Sequence, residues 1–262
     1  MPSQYERCIY ADNQLADVIC QLRFPEILTI NTIQPAAFQE EIRSEYPQYS
    51  TTTELPPPNI SNTPDGLRVE RQPATINYCF ASADGVWRIN LTSKFISIAC
   101  SQYPRWEVFA KMLDKPLAAF IKIYKPAYFE RIGLRYLNFV SRKALGLENV
   151  PFSDLFDPAY LGILGKEGIV ETATMRCNVD IEMAISNGCR VKIHSGPGMV
   201  KKNGQTDSEI KFIFDQDLFT AGRIAVTDSA EALEHLHTHA YPTFRGAITD
   251  LLHNALIPES AE

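Results

Sequence analysis

Residues 16–24 (Ala-Asp-Val-Ile-Cys-Gln-Leu-Arg-Phe) alternate apolar and polar side chains, and this period of two predicts a first strand that stops at Pro25. Pro35 then opens a short helix whose apolar positions, Phe38 and Ile42, are one turn apart, and which ends before Pro47. Residues 51–65 carry Pro56, Pro57, Pro58 and Pro64 among Thr, Ser and Asn, and read as a loop. The clearest local signal of the first half is a hairpin, in which residues 75–83 and 86–91 flank Asp84-Gly85, a pair suited to a two-residue type I′ turn. That turn pairs Ala83 with Val86 and sets Phe80 beside Ile89 and Tyr78 beside Leu91 on one face. Residues 95–100 continue as a third strand.

From Pro104 the period lengthens. Trp106, Phe109, Leu113, Leu117, Phe120 and Tyr124 form the stripe of a long amphipathic helix, with a kink at Pro116 and a stop at Lys125-Pro126. Residues 128–140 return to alternation, with Ile132, Leu134 and Tyr136 on one face and Arg131 and Arg135 on the other. Asn138 interrupts the apolar face, so the far end of this strand is expected to leave the core. In residues 179–194 a two-residue Asn187-Gly188 turn would mix the faces. A three-residue Ser186-Asn187-Gly188 loop, with Gly188 in the left-handed region, instead pairs Ile185 with Cys189, Met183 with Val191 and Ile181 with Ile193. The polar face then matches too, Glu182 beside Lys192 and Asp180 beside His194.

Residues 195–207, rich in Gly, Lys and Asn, read as an exposed connection, and residues 210–214 and 222–226 as two further strands. Asp228 and Glu231 have the spacing of an N-terminal capping box. A terminal helix over 229–255 then carries Leu233, Leu236, Ala240, Phe244, Ile248 and Leu251 as its buried stripe.

These elements predict an α+β fold, an antiparallel sheet or sheets packed against two long helices and one short helix. It is expected as a single domain over 1–262, or as two intimately packed halves, 1–125 and 126–262. Hydrophobic residues make up 45% and charged residues 21% of the chain, enough to bury a core and to exclude wholesale disorder. A net charge of −6 gives no sequence-wide attraction to nucleic acid or anionic lipid, so a nucleic-acid contact would need a local basic patch. The first residues lack the apolar stretch of a secretory signal, and no run approaches the ~20 apolar residues of a membrane span. The expectation is a cytoplasmic protein with no membrane partner. Six cysteines without a CxxC pair or neighbouring histidines predict reduced packing residues rather than disulfides or a zinc site.

The candidate chemistry is of two kinds. His235 and His239 are four apart, the spacing of two ligands on one helical face, but at 100° per residue they and His253 point away from the apolar stripe with no third ligand. No metal or other cofactor is expected, and His237, nearer the apolar side, is expected to be buried and hydrogen-bonded. The second candidate is a charged face formed by Arg131, Arg135, Asp180, Glu182, Arg190, Lys192 and His194. Were these strands neighbours, acids and bases would meet as they do where a phosphorylated small ligand is handled; otherwise the face is a solvated sheet surface. Gly133 leaves room between Arg131 and Arg135 for a carboxylate or phosphate held by forked hydrogen bonds. Alternatively, each arginine pairs with an acid such as Glu130, Asp180 or Glu182. No GxxxxGK[ST], GxGxxG or GxSxG motif is present, and Ala184 stands where a triphosphate-tunnel strand would carry a base.

The segments Ala16-Asp-Val-Ile-Cys-Gln-Leu-Arg-Phe-Pro25, Phe38-Gln-Glu-Glu-Ile-Arg43, Glu130-Arg-Ile-Gly-Leu-Arg-Tyr-Leu-Asn138 and Phe244-Arg-Gly-Ala-Ile-Thr-Asp250 together resemble a sporadically distributed, uncharacterised prokaryotic family. Its members have about 250 residues and are known mainly by a profile number, so the resemblance implies a patchily inherited accessory, antitoxin-like or defence-linked role rather than a mechanism. With no catalytic motif, the reading is a non-enzymatic binding protein with a protein partner or a second copy of itself. The alternative is an enzyme or sensor for a nucleotide or other phosphorylated ligand on the charged face.

Overall fold

The computed structural model describes residues 5–54, 59–63, 66–70, 74–186, 188–202 and 205–261. In chain order the first half contains β1 (Cys8–Tyr10), β2 (Leu15–Arg23), α1 (Leu28–Thr32), α2 (Ala36–Ile42), β3 (Gln48–Glu54), β4 (Asn59–Thr63), β5 (Gly66–Glu70), β6 (Thr75–Ala81), β7 (Trp87–Leu91), β8 (Phe95–Cys100) and α3 (Trp106–Tyr124). The second half contains β9 (Phe129–Val140), β10 (Val179–Ala184), β11 (Cys189–Lys202), β12 (Gln205–Ile224), α4 (Ser229–Ala247), α5 (Asp250–Ala255) and β13 (Pro258–Ser260), with short 3₁₀ turns between Phe152 and Ala173. The fold is α+β. Nine strands form one antiparallel sheet in the order β10-β11-β12-β9-β2-β8-β7-β6-β3.

All but one of the strands in that order are arranged symmetrically. β2 and β9 pair with each other, β8, β7 and β6 run outward from β2 and β12, β11 and β10 outward from β9, and β3 is added beyond β6. In each half these strands are followed by a 19-residue helix containing a proline, Pro116 in α3 and Pro242 in α4. The repeat is one of topology.

Alternation along the strands sends Val18, Cys20 and Leu22, Ile96, Ile98 and Cys100, Ile132 and Leu134, and Phe212, Phe214 and Leu218 to one face, where all are fully buried. The helices cover this face. Phe120 of α3 meets Phe24 at 4.7 Å between ring centres, Phe109 meets Trp87 at 5.7 Å, and Phe244 of α4 meets Phe214 at 5.6 Å. Each such burial stabilises the fold by about 1.5–3 kcal/mol, and together these contacts fix which face is left open. Among the described residues no helix is long and apolar enough to cross a membrane.

Both hairpin registers agree with the alternation argument. Phe80 pairs with Ile89 and Tyr78 with Leu91; Met183 pairs with Val191, Ile181 with Ile193, Glu182 with Lys192 and Asp180 with His194. Gly188 has φ 75°, and Ile185 N–H donates to the Cys189 carbonyl at 2.8 Å; Asn187 lies outside the described residues. The first turn is not type I′. Of its central pair only Gly85 has positive φ, and Ser82 closes a wider loop: its N–H donates to the Trp87 carbonyl at 2.9 Å and its hydroxyl accepts from Trp87 N–H at 3.0 Å.

Five expectations are corrected. The proposed loop at 51–65 contains strand residues 51–54 of β3 and the β4 strand, because threonine favours a pleated backbone; residues 55–58 and 64–65 lie outside the described part. In the supposed connection at 195–207, residues 195–202 are extended in β11 and 205–207 in β12, with 203–204 outside the described part, and the two strands expected at 210–214 and 222–226 fall in the one strand β12, which ends at Ile224. Gly196 is not a turn residue there: a Cβ on it would come within 2.3 Å of the Cys177 carbonyl oxygen. Asp228 makes no capping bond to α4 and instead accepts from the Thr227 hydroxyl at 2.9 Å. Finally, the terminal helix breaks at extended Ile248, and Thr249 caps α5, so the phase resets. Leu252 is fully buried and Leu251 is exposed.

Candidate functional site

The face of the sheet turned away from the helices holds all seven charged residues that the sequence singles out. Register sets Glu182, Lys192, Asp217 and Arg135 in one row across β10, β11, β12 and β9, with the signs alternating. The row continues through Ile19 and Ala99 to Arg88 in the other half. Beside it runs a second row, Asp180, His194, Asp215 and Leu137. Opposite charges on neighbouring strands stabilise each other, so the order of signs follows from the pairing.

Arg135 forks onto Asp215, Nε to Oδ1 at 2.7 Å and Nη2 to Oδ2 at 2.5 Å. This bond holds the Arg135 guanidinium above its ordinary pKa against the opposing effect of burial. Arg131 donates through Nη2 to both oxygens of Asp217, at 2.8 and 2.7 Å, and lies 4.5 Å over the Phe219 ring. Nearer the sheet edge, Arg190 and Lys192 share Glu182, each at 3.3 Å. Its slight burial raises the Glu182 carboxyl, but the bonds from Lys192 and Arg190 outweigh that and hold it below the usual range. His194 Nδ1 meets Asp180 Oδ1 at 2.8 Å. Exposure grades across this face: the Asp180 side chain is 80% exposed, that of Asp217 28% and that of Asp215 14%. In the first half, Arg88 pairs with Asp17 at 2.5 Å, where burial pushes the Asp17 carboxyl up although Arg88 pulls it down.

Two expectations about this face change. The room over Gly133 is not open, since the Arg131 side chain folds back over it, and a Cβ there would lie 2.2 Å from Arg131 Nη1. Nor do Arg131 and Arg135 pair with Glu130, Asp180 or Glu182; their partners are Asp217 and Asp215. These two aspartates escaped the sequence reading because Gln216 between them faces the core, which hides the alternation that would have extended the strand.

Arg135, Asp180, Glu182, Lys192 and His194 border one shallow cleft of about 530 Å³ with Asp215 and Asp217, while Arg131 and Arg190 do not line it. Its four carboxylates are matched by Arg135 and Lys192 within the cleft and by Arg131 and Arg190 just outside it, which hold Asp217 and Glu182, so these charges cancel. The cleft therefore offers an anion little attraction. Among the described residues no three His, Cys, Asp or Glu side chains are grouped to hold a metal ion. His235 and His239 both contact the Ser186 hydroxyl, at 3.2 and 2.9 Å, and His237 is buried against Tyr136, 3.2 Å from its hydroxyl. No model of a known protein family matches the chain, and no curated protein matches it.

Proposed function

We propose that the chain is a non-enzymatic binding protein that docks another protein on the open face of its sheet. The observation that carries this reading is the row Glu182, Lys192, Asp217, Arg135, in which neighbouring signs alternate on partly exposed side chains. A surface of alternating sign discriminates by complementary placement of both charges, which a folded protein supplies and a uniformly anionic nucleic acid or lipid surface does not. A prokaryotic accessory role, antitoxin-like or defence-linked, is the setting implied by the sequence resemblance. A phosphorylated small ligand is the weaker reading, because both cations bordering the cleft, Arg135 and Lys192, are already paired with carboxylates.

The test is purification from a native host followed by light scattering, for the wild type and for Lys192→Glu with Arg135→Glu. The expected result is a complex of defined stoichiometry that the charge reversals abolish while the fold is kept. A chain that elutes alone as a monomer, or a complex indifferent to both reversals, overturns the proposal.

A further inference from the structure

On the opposite side of the sheet, between α4 and the β9–β12 pair, lies a cavity of about 110 Å³. The amino-terminal segment supplies its wall through Tyr10 and Leu15, and that segment is clasped by the far end of the chain, Tyr10 pairing with Pro258 and the Asp12 N–H donating to the Leu256 carbonyl at 3.1 Å. The cavity sits where the core-facing stripe turns polar. Tyr136 pairs in register with Gln216, and Asn138 with Phe214. Asn138 stays in the core, 4% exposed, donating to the Phe214 carbonyl at 3.3 Å.

Gln216 is 2% exposed; its Nε2 donates to the Ala240 carbonyl at 3.3 Å, and its Oε1 has no hydrogen-bond partner among the described residues. A buried amide oxygen left unpaired costs about 1–3 kcal/mol, so the fold maintains an acceptor there at some expense. Among the described residues, the only charged side chains that line the cavity are Arg7 and Arg105. At its mouth Arg7 pairs with Glu107 at 2.7 Å and Arg105 approaches the same carboxylate at 3.8 Å. Burial keeps the His237 imidazole neutral by pushing its pKa down to about 4.

We propose that this cavity is a binding site for a small uncharged ligand that sits against the aromatic wall and donates an N–H or O–H to Gln216 Oε1. The volume sets the size: it is somewhat below the ~150 Å³ that holds benzene in an engineered protein core, which limits the ligand to about half a dozen heavy atoms. A charged molecule seated against the inner wall would lose its hydration where only Tyr, Asn, Gln, neutral His and apolar side chains replace it.

Pyrrole and furan, five-membered rings of nearly equal size of which only pyrrole donates, are the probes. Titration of the full chain, followed by amide chemical shifts, is expected to localise pyrrole at Gln216 and His237 and to show it binding about five- to tenfold more tightly than furan. In Gln216→Met, pyrrole is expected to fall to the furan level. Equal affinities in the wild type, shifts that map elsewhere, unchanged pyrrole binding in the variant, or no response to either probe, leaving a cavity that holds only water, would each overturn the site. The wild-type comparison stands whether or not the variant folds.

Discussion

Arg131 folds its guanidinium over Gly133, two residues along the same strand, so closely that a single methyl group at 133 would lie 2.2 Å from its Nη1. The glycine makes possible both the Arg131–Asp217 pair and the approach of Arg131 to the Phe219 ring. Gly133→Ala should push the flexible end of Arg131 aside rather than the backbone. Loss of a half-buried ion pair, up to about 1 kcal/mol, is then offset by the lower chain entropy of alanine, about 0.4–1 kcal/mol. Urea unfolding is expected to show a net change below about 1 kcal/mol, but Arg131→Ala should then cost nothing further. Additive effects of the two substitutions would show that Arg131 does not depend on Gly133.

Arg135→Lys tests recognition against scaffolding. Lysine keeps the charge and loses the fork onto Asp215, and because Arg135 is partly exposed the stability loss should stay within about 1 kcal/mol. Under the docking proposal partner affinity falls at least severalfold while the unfolding midpoint barely moves. The reverse pattern, a lower midpoint with unchanged affinity, would make Arg135 a structural tie between β9 and β12.

The hairpin registers were legible because period-two alternation is local and survives an error in the turn, as at Asp84-Gly85, where the loop is wider than type I′ yet Phe80 still faces Ile89. What the sequence concealed lies where polar residues occupy core-facing positions. Asn138 and Gln216 look like the ends of strands, yet both are buried in the cavity wall, and misreading Gln216 also hid Asp215 and Asp217. The acids of the open face were thus lost for the same reason as the cavity. The strands at 51–54 and 59–63 were masked differently, by proline-rich neighbours that outweighed the threonines in a reading from composition.

The reset of helical phase at Ile248 makes adjacent leucines unequal. Leu252 is fully buried and Leu251 is 46% exposed. Leu252→Ala is expected to destabilise by about 2–5 kcal/mol through loss of packing and the cavity left behind, and Leu251→Ala by less than about 0.5 kcal/mol. Thermal unfolding of both variants decides; equal effects would mean that a continuous helix over 229–255 is the better description.

His237 gives the chain a pH dependence of definite sign. Its ring stacks on Trp106 at 4.4 Å and its Nδ1 lies 3.2 Å from the Tyr136 hydroxyl, while Arg7 and Glu107 act on it with opposite signs. Burial dominates and lowers its pKa from 6.5 to about 4. Between those values the unfolded chain binds a proton that the folded chain does not, so stability rises with pH across that window and is lost as pH falls from 6.5 toward 4. The full effect is up to about 3 kcal/mol. His239 and His253 are also lowered by burial and act in the same direction, and the paired carboxylates lose stability over an overlapping acid range. His237→Gln removes only the His237 share. The difference in unfolding free energy between wild type and variant should therefore shrink by up to about 3 kcal/mol on going from pH 7 to pH 4, since the wild type loses its advantage there. Curves that stay parallel across the window would mean that His237 titrates in the fold as it does in the unfolded chain.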